Sequence, residues 1–181
     1  MSTIYLDNAA TTKVREEVVS VISSIIKNEY GNPSSTHSYG RSSKSLIESA
    51  RKEIADILNV KSSEIIFTSG GTEGDNMIIR NCVNNLGVSH IITTKIEHHA
   101  VTHTIDDLIR SNNINVSYVK VSKSGHVDLN DLEEILKKSD EKSLVSLMHI
   151  NNEIGNITDI ELVSEICKKY NSLFHSDTVQ S

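Results

Sequence analysis

At 181 residues the chain is long enough for one domain with a sizeable core, and its formal net charge of −6 excludes a surface built mainly for nucleic acid, since no basic run exceeds Lys137-Lys138 or Lys168-Lys169. Trp is absent and there are only 2 Phe, so a core must come from Ile, Leu and Val, which suits a buried parallel sheet. No run approaches the roughly 18 apolar residues of a membrane span. Cys82 and Cys167 stand far apart, with no C-x-x-C spacing and no secretory leader ahead of them, and this points to a reducing cytoplasm.

In chain order, Ile4-Tyr5-Leu6 reads as a short strand entering the polar turn Asp7 to Thr12. Val14, Val18, Val21, Ile22, Ile25 and Ile26 recur at helical spacing until Gly31-Asn32-Pro33 ends the pattern. The polar stretch 34–40 reads as a loop, in or beside which His37 and Arg41 are weak site candidates. Leu46, Ile47, Ala50, Ile54, Ile57 and Leu58 form the stripe of a second helix. From Ile65 the pattern is regular: strand 65–68, helix 72–86, strand 90–94, helix 98–111, strand 115–121. A turn at Ser124-Gly125, helix 129–138, strand 143–149, helix 159–170 and strand 173–176 complete it. Such alternation predicts an α/β fold, a mainly parallel sheet with helices on both faces. Each cysteine falls in a helical pattern and reads as a small buried hydrophobe.

Parallel sheets place ligand groups at the carboxyl ends of their strands. Here those ends supply Gly70-Gly71-Thr72, Glu97-His98-His99, Asn151-Asn152-Glu153, and then Asp177 and Gln180. The glycines before a helix start leave backbone amides for an anion and room for it to approach. Pyridoxal phosphate needs this set of groups. Gly71 and Thr72 suit its phosphate, and Asp177 suits its ring nitrogen, which works as an electron sink only while protonated. Gln180 can donate to the phenolate oxygen, and His98 can stack on the ring and move protons. Glu73 and Asp75 would repel a phosphate, so their side chains are expected to turn away from it. There is no G-x-x-x-x-G-K-[ST] and no G-x-G-x-x-G, which makes nucleotide binding the weaker claimant. His99 and His103 share a helix face, but no third ligand is nearby, so no metal is expected.

The runs Tyr5-Leu6-Asp7-Asn8-Ala9-Ala10-Thr11-Thr12, Gly31-Asn32-Pro33-Ser34-Ser35, Phe67-Thr68-Ser69-Gly70-Gly71-Thr72-Glu73, Glu97-His98, Met148 to Gly155 and His175-Ser176-Asp177-Thr178-Val179-Gln180-Ser181 resemble the cysteine desulfurases of the class V aminotransferase group. The resemblance spans Ile4 to Ser181, and is narrowest to the type serving iron–sulfur cluster assembly and tRNA thiolation. It implies that Gly71 and Thr72 bind phosphate, His98 stacks on the pyridine ring and Asn152 lies beside it. It further implies that Asp177 pairs with the ring nitrogen and Gln180 with the phenolate oxygen. Ser69-Gly70-Gly71 where many relatives have Ser-Gly-Ala, and Ser176 where Val or Thr is common, depart from the pattern without removing these roles.

The resemblance implies part of a fold type I large domain over residues 16–181, with residues 1–15 belonging to a small domain. Family members continue for roughly as long again. Their later part carries the lysine that holds the cofactor covalently, the cysteine that accepts sulfur and an arginine for the substrate carboxylate. The 65–68 strand is expected at a sheet edge, separated from the next four strands by two that come later in sequence, so here its edge would be unpaired. For the full enzyme the implied reaction turns L-cysteine into L-alanine and an enzyme persulfide. The implied partners are a sulfur-acceptor or iron–sulfur scaffold protein and a second copy of the chain. Selenocysteine lyase or another enzyme of the same fold is the neighbouring reading. A non-catalytic binding module docking on an intact desulfurase is the reading from another class. The 181 residues alone are expected to lack turnover.

Overall fold

A computed structural model describes residues 3–111 and 114–181, so residues 1 and 2 of the 1–15 segment lie outside the described residues. It divides into two compact units, one ending at Phe67 and the other running from Thr68 to Ser181.

In the first unit α1 spans Glu16–Asn28 and α2 spans Ser38–Leu58. No residue of α1 is buried. Helix α2 starts earlier than the loop expected over 34–40 allows, because His37 Nδ1 accepts from Gly40 N at 3.3 Å and caps it. Arg51 of α2 donates to the carbonyl of Ile65 at 2.5 Å and stands 4.8 Å from the Phe67 ring centroid, tying residues 65–67 to the helix. The strands expected at 4–6 and 65–68 are not formed. Ile65 is extended (φ −94°, ψ 122°), yet a strand needs a neighbour to exchange backbone hydrogen bonds with, and among the described residues neither segment has one.

The second unit holds helices α3 (Gly71–Leu86), α4 (His99–Ser111), α5 (Leu129–Lys138) and α6 (Ile160–Lys169). Its strands are β1 (His90–Thr93), β2 (Asn115–Tyr118), β3 (Ser143–Ser146) and β4 (Leu173–His175). All pairs are parallel, in the order β2-β1-β3-β4. The helix ends follow local chemistry. Asp128 caps α5 through Asn130 N and Asp131 N, Asp159 caps α6 through Leu162 N, and lysines close both last turns.

Strand order and handedness together assign the faces. The path from β1 to β2 moves one way and the paths from β2 to β3 and on to β4 move the other, so right-handed crossovers put α4 on one face and α5 and α6 on the opposite one. The core obeys this. Ile91 and Leu144 pack with Ile79, Cys82, Val101, Ile105 and Leu108 of α3 and α4. Their neighbours Ile92 and Val145 point the other way, into Leu132, Leu136, Val163, Ile166 and Cys167 of α5 and α6. Both cysteines are buried and unbridged, and burial pushes the Cys167 thiol up to about 11. The reversal falls between β1 and β3, so the crevice beyond their carboxyl ends is where a ligand is expected.

Candidate cofactor site

The loops leaving β1 and β3 are strapped together across that crevice by a buried glutamate. Glu97 Oε1 accepts from Thr94 Oγ1 at 2.6 Å and Oε2 accepts from Met148 N at 2.9 Å. Burial pushes its carboxyl up to about 7, with repulsion from Asp177 and Asp75 adding to the effect. The next residue, His98, immediately precedes α4. Its Nδ1 accepts from Ala100 N at 3.1 Å and its carbonyl accepts from Val101 N and Thr102 N. A neutral ring held this way carries its proton on Nε2, the atom left for chemistry.

Across the crevice Asn151 shapes its own loop. Its side chain donates to the Ile96 carbonyl at 2.8 Å, and its Oδ1 accepts from Glu153 N and Ile154 N, the Asx turn that sets Asn152 half-buried at the cleft. Gly155, at φ +71°, donates to the Asn151 carbonyl and closes the turn in a conformation that a side chain would resist. His98, Asn152 and Glu97 line one cleft of about 290 Å³, and His98 and Thr72 line an adjoining one of about 270 Å³.

Helix α3 opens at Gly71 with first-turn amides that have no intrahelical acceptor. Glu73 turns back to accept from Ser69 N, and Asp75 turns inward to His175, so both carboxylates are engaged away from those amides, as their sequence positions required. A Cβ on Gly71 would lie 2.5 Å from Val179 Cγ2, whereas one on Gly70 would meet nothing. The turn is therefore packed on one side by the loop after β4 and open on the other. Asp177, in that loop, is buried; its Oδ1 accepts from Val179 N at 3.0 Å, and its carbonyl accepts from His149 N at 2.9 Å. Gln180 is half-buried three residues on.

Thus Gly71, Thr72, His98, Asn152, Asp177 and Gln180 all lie at the carboxyl end of the sheet. His98 shares a cleft with Asn152 and another with Thr72, and Gly71 touches the loop of Asp177 and Gln180. The donor set fits pyridoxal phosphate: open amides and the Thr72 hydroxyl for a dianion, and a buried acid cluster of Asp75, Glu97 and Asp177 that a cationic ring nitrogen would relieve. His99 and His103 stack at 4.8 Å, and no metal-binding group is present among the described residues.

Sequence reading assigned no role to Thr94, Asn151 or His175, and treated Asp75 and Glu97 only in passing. The signal for two of them was available: His175 ends β4 two residues before Asp177, and Asp75 follows Gly71 by one helical turn.

The family model described as Aminotransferase class-V matches residues 4–181. The cysteine desulfurase IscS of Dictyoglomus turgidum is 45% identical over 98% of this chain and 45% of its own length. The putative cysteine desulfurase IscS 1 of Bacillus subtilis is 42% identical over 100% of the chain and 48% of its own. Among solved structures, a NifS-like protein superposes with a TM-score of 0.92 at 40% identity, covering 98% of this chain and 49% of that one. A structure described as SspA in complex with cysteine gives 0.91 at 32% identity, covering 99% and 51%. The chain spans about half the length of the curated relatives it matches, and it corresponds to an N-terminal portion of them.

Proposed function

Because the chain belongs to the class-V aminotransferase family, we propose that it binds pyridoxal 5'-phosphate and that the whole enzyme is a cysteine desulfurase. That enzyme converts L-cysteine to L-alanine and carries the sulfur as a persulfide toward iron–sulfur cluster assembly or tRNA thiolation. The observation that supports the reading is the packing of the α3 first turn, whose amides suit an anion, against the loop of the buried Asp177, whose carboxylate suits a cationic ring. When bound, the cofactor supplies an electron sink that makes the α-proton of an amino acid acidic.

The chain's own residues have these parts. Gly71 and Thr72 hold the phosphate. Asp177 keeps a proton on the ring nitrogen by favouring the charged form. Gln180 donates to the phenolate oxygen, Asn152 lies beside the ring, and His98 covers its face and holds or releases a proton at Nε2. Residues 1–15 belong with a small domain and 16–181 with the large one. The whole enzyme acts as a cytoplasmic homodimer that hands sulfur to an acceptor or scaffold protein.

None of the lysines here stands in a context matching the cofactor-binding lysine of the family. The 181-residue chain given L-cysteine and cofactor is therefore expected to yield no alanine, while the full-length polypeptide yields it. Alanine from the 181 residues at enzyme-like rates would overturn the first expectation, and none from full-length protein the second.

A further inference from the structure

Two buried side chains that the proposed roles leave unused join the two halves of the site. Asp75 lies one helical turn beyond Gly71 on α3, and His175, the last residue of β4, lies two residues before Asp177 in the loop that follows. They meet: His175 Nε2 stands 3.3 Å from Asp75 Oδ1, and Ser146 Oγ is 2.9 Å from His175 Nδ1. All three residues are buried. A ring that accepts from the Ser146 hydroxyl and donates from Nε2 to Asp75 has both nitrogens satisfied, which holds it in one orientation.

The ends of this chain of contacts belong to different parts of the site. Asp75 is fixed to the turn that presents Gly71 and Thr72, and His175 to the strand that presents Asp177. A second link between the same elements, Gly71 against Val179, uses a side chain that is 65% exposed and can yield. The buried pair is the stiffer of the two, since packed interiors transmit displacement that surface side chains absorb.

We propose that Asp75 and His175 are positioning residues whose contact sets the separation between the phosphate-binding turn at Gly71–Thr72 and the carboxylate of Asp177. The ligand this spacing selects carries a phosphate at one end and a protonated aromatic nitrogen at the other. The inference rests on the cofactor reading above and adds to it two residues that touch no ligand.

The test uses the 181-residue chain and two probes. Pyridoxamine 5'-phosphate spans both ends and has no aldehyde to react with surface lysines, and inorganic phosphate engages the turn alone. Binding of each is followed by the shifts of the Gly71 and Thr72 amide resonances. In His175→Ala and Asp75→Ala, affinity for pyridoxamine phosphate is expected to fall about tenfold, the worth of one charge-assisted hydrogen bond. Affinity for inorganic phosphate should stay within about twofold. His175→Gln, which can still bridge Ser146 and Asp75, should recover most of the loss.

A variant that merely loosens the fold would weaken both probes in parallel, and that outcome overturns the proposal. Unchanged pyridoxamine phosphate binding in both alanine variants overturns it as well. If the unsubstituted chain binds inorganic phosphate but pyridoxamine phosphate no more tightly, the cofactor reading itself fails and takes this inference with it. Should the alanine variants not fold, Asp75→Asn and His175→Gln supply the comparison, with Asn expected to cost affinity for the longer probe only.

Discussion

Helices α1 and α5 carry the same kind of apolar stripe and differ in what covers it. Val18, Val21, Ile22 and Ile25 of α1 remain between 41% and 57% exposed, whereas Leu132 and Leu136 of α5 are buried in the core. The stripe itself says only which side of a helix is apolar. Helix α5 is a crossover between two parallel strands, so its connections lay it on the sheet. Helix α1 connects to no strand among the described residues and gains no such partner. Amphipathic spacing is thus a statement of demand, and topology decides whether the demand is met.

The comparison breaks most directly at the core. Leu132→Ala is expected to lower unfolding free energy by about 2–5 kcal/mol, the usual cost of a buried leucine and the cavity it leaves. Ile22→Ala in α1 should cost within about 0.5 kcal/mol, as surface changes do. Urea unfolding of the two variants measures the gap, and equal costs would show that α1 is packed as firmly as α5.

A second difference lies in charge, because the sheet unit buries titratable groups. Glu97 has its carboxyl raised from 4.5 to about 7. The folded chain therefore keeps a proton that the unfolded chain releases above 4.5, and the stability this contributes is present below about pH 4.5 and lost as pH rises to about 7. The loss amounts to roughly 3 kcal/mol. Glu97→Gln cannot titrate, so its urea midpoint should fall less between pH 5 and 8 than that of the unsubstituted chain. Parallel curves would mean that Glu97 is ionised throughout.

A smaller effect than those in the core sharpens the contrast at a helix start. Gly71→Ala places a methyl 2.5 Å from Val179 Cγ2 and should cost about 1 kcal/mol as the exposed valine shifts. In a Val179→Ala background the cost should vanish. A double-mutant cycle reads the coupling, and a penalty that persists without the valine would place the strain elsewhere.

Much of the sheet unit was legible because its signals are local. Alternating aliphatic runs and helical stripes separated by turn residues marked all four strands and four helices of residues 71–175, and caps such as Asp128 and Asp159 sit where their helices begin. The segments at 4–6 and 65–68 misled because their composition is that of strands, whereas a strand exists only in a pair. The candidate site was legible in outline for a related reason. Residues that follow strands in a parallel sheet collect at one end of it, whatever the details of packing. What escaped was the support beneath them. Glu97 strapping Thr94 to Met148 N, and Asp75 meeting His175, join residues about 50 and 100 positions apart in the chain.

By itself, then, the sequence determined the period of the elements between residues 71 and 175, where each of them starts and the set of groups gathered at the carboxyl edge, since these depend on neighbours a few residues away, whereas the expected strands ran past their observed carboxyl ends. Only the tertiary structure decided which apolar stripes are covered, which carboxylates are buried and which side chains hold the edge in register. Burial and long-range pairing depend on strand order and crossover hand, and no window of sequence contains those.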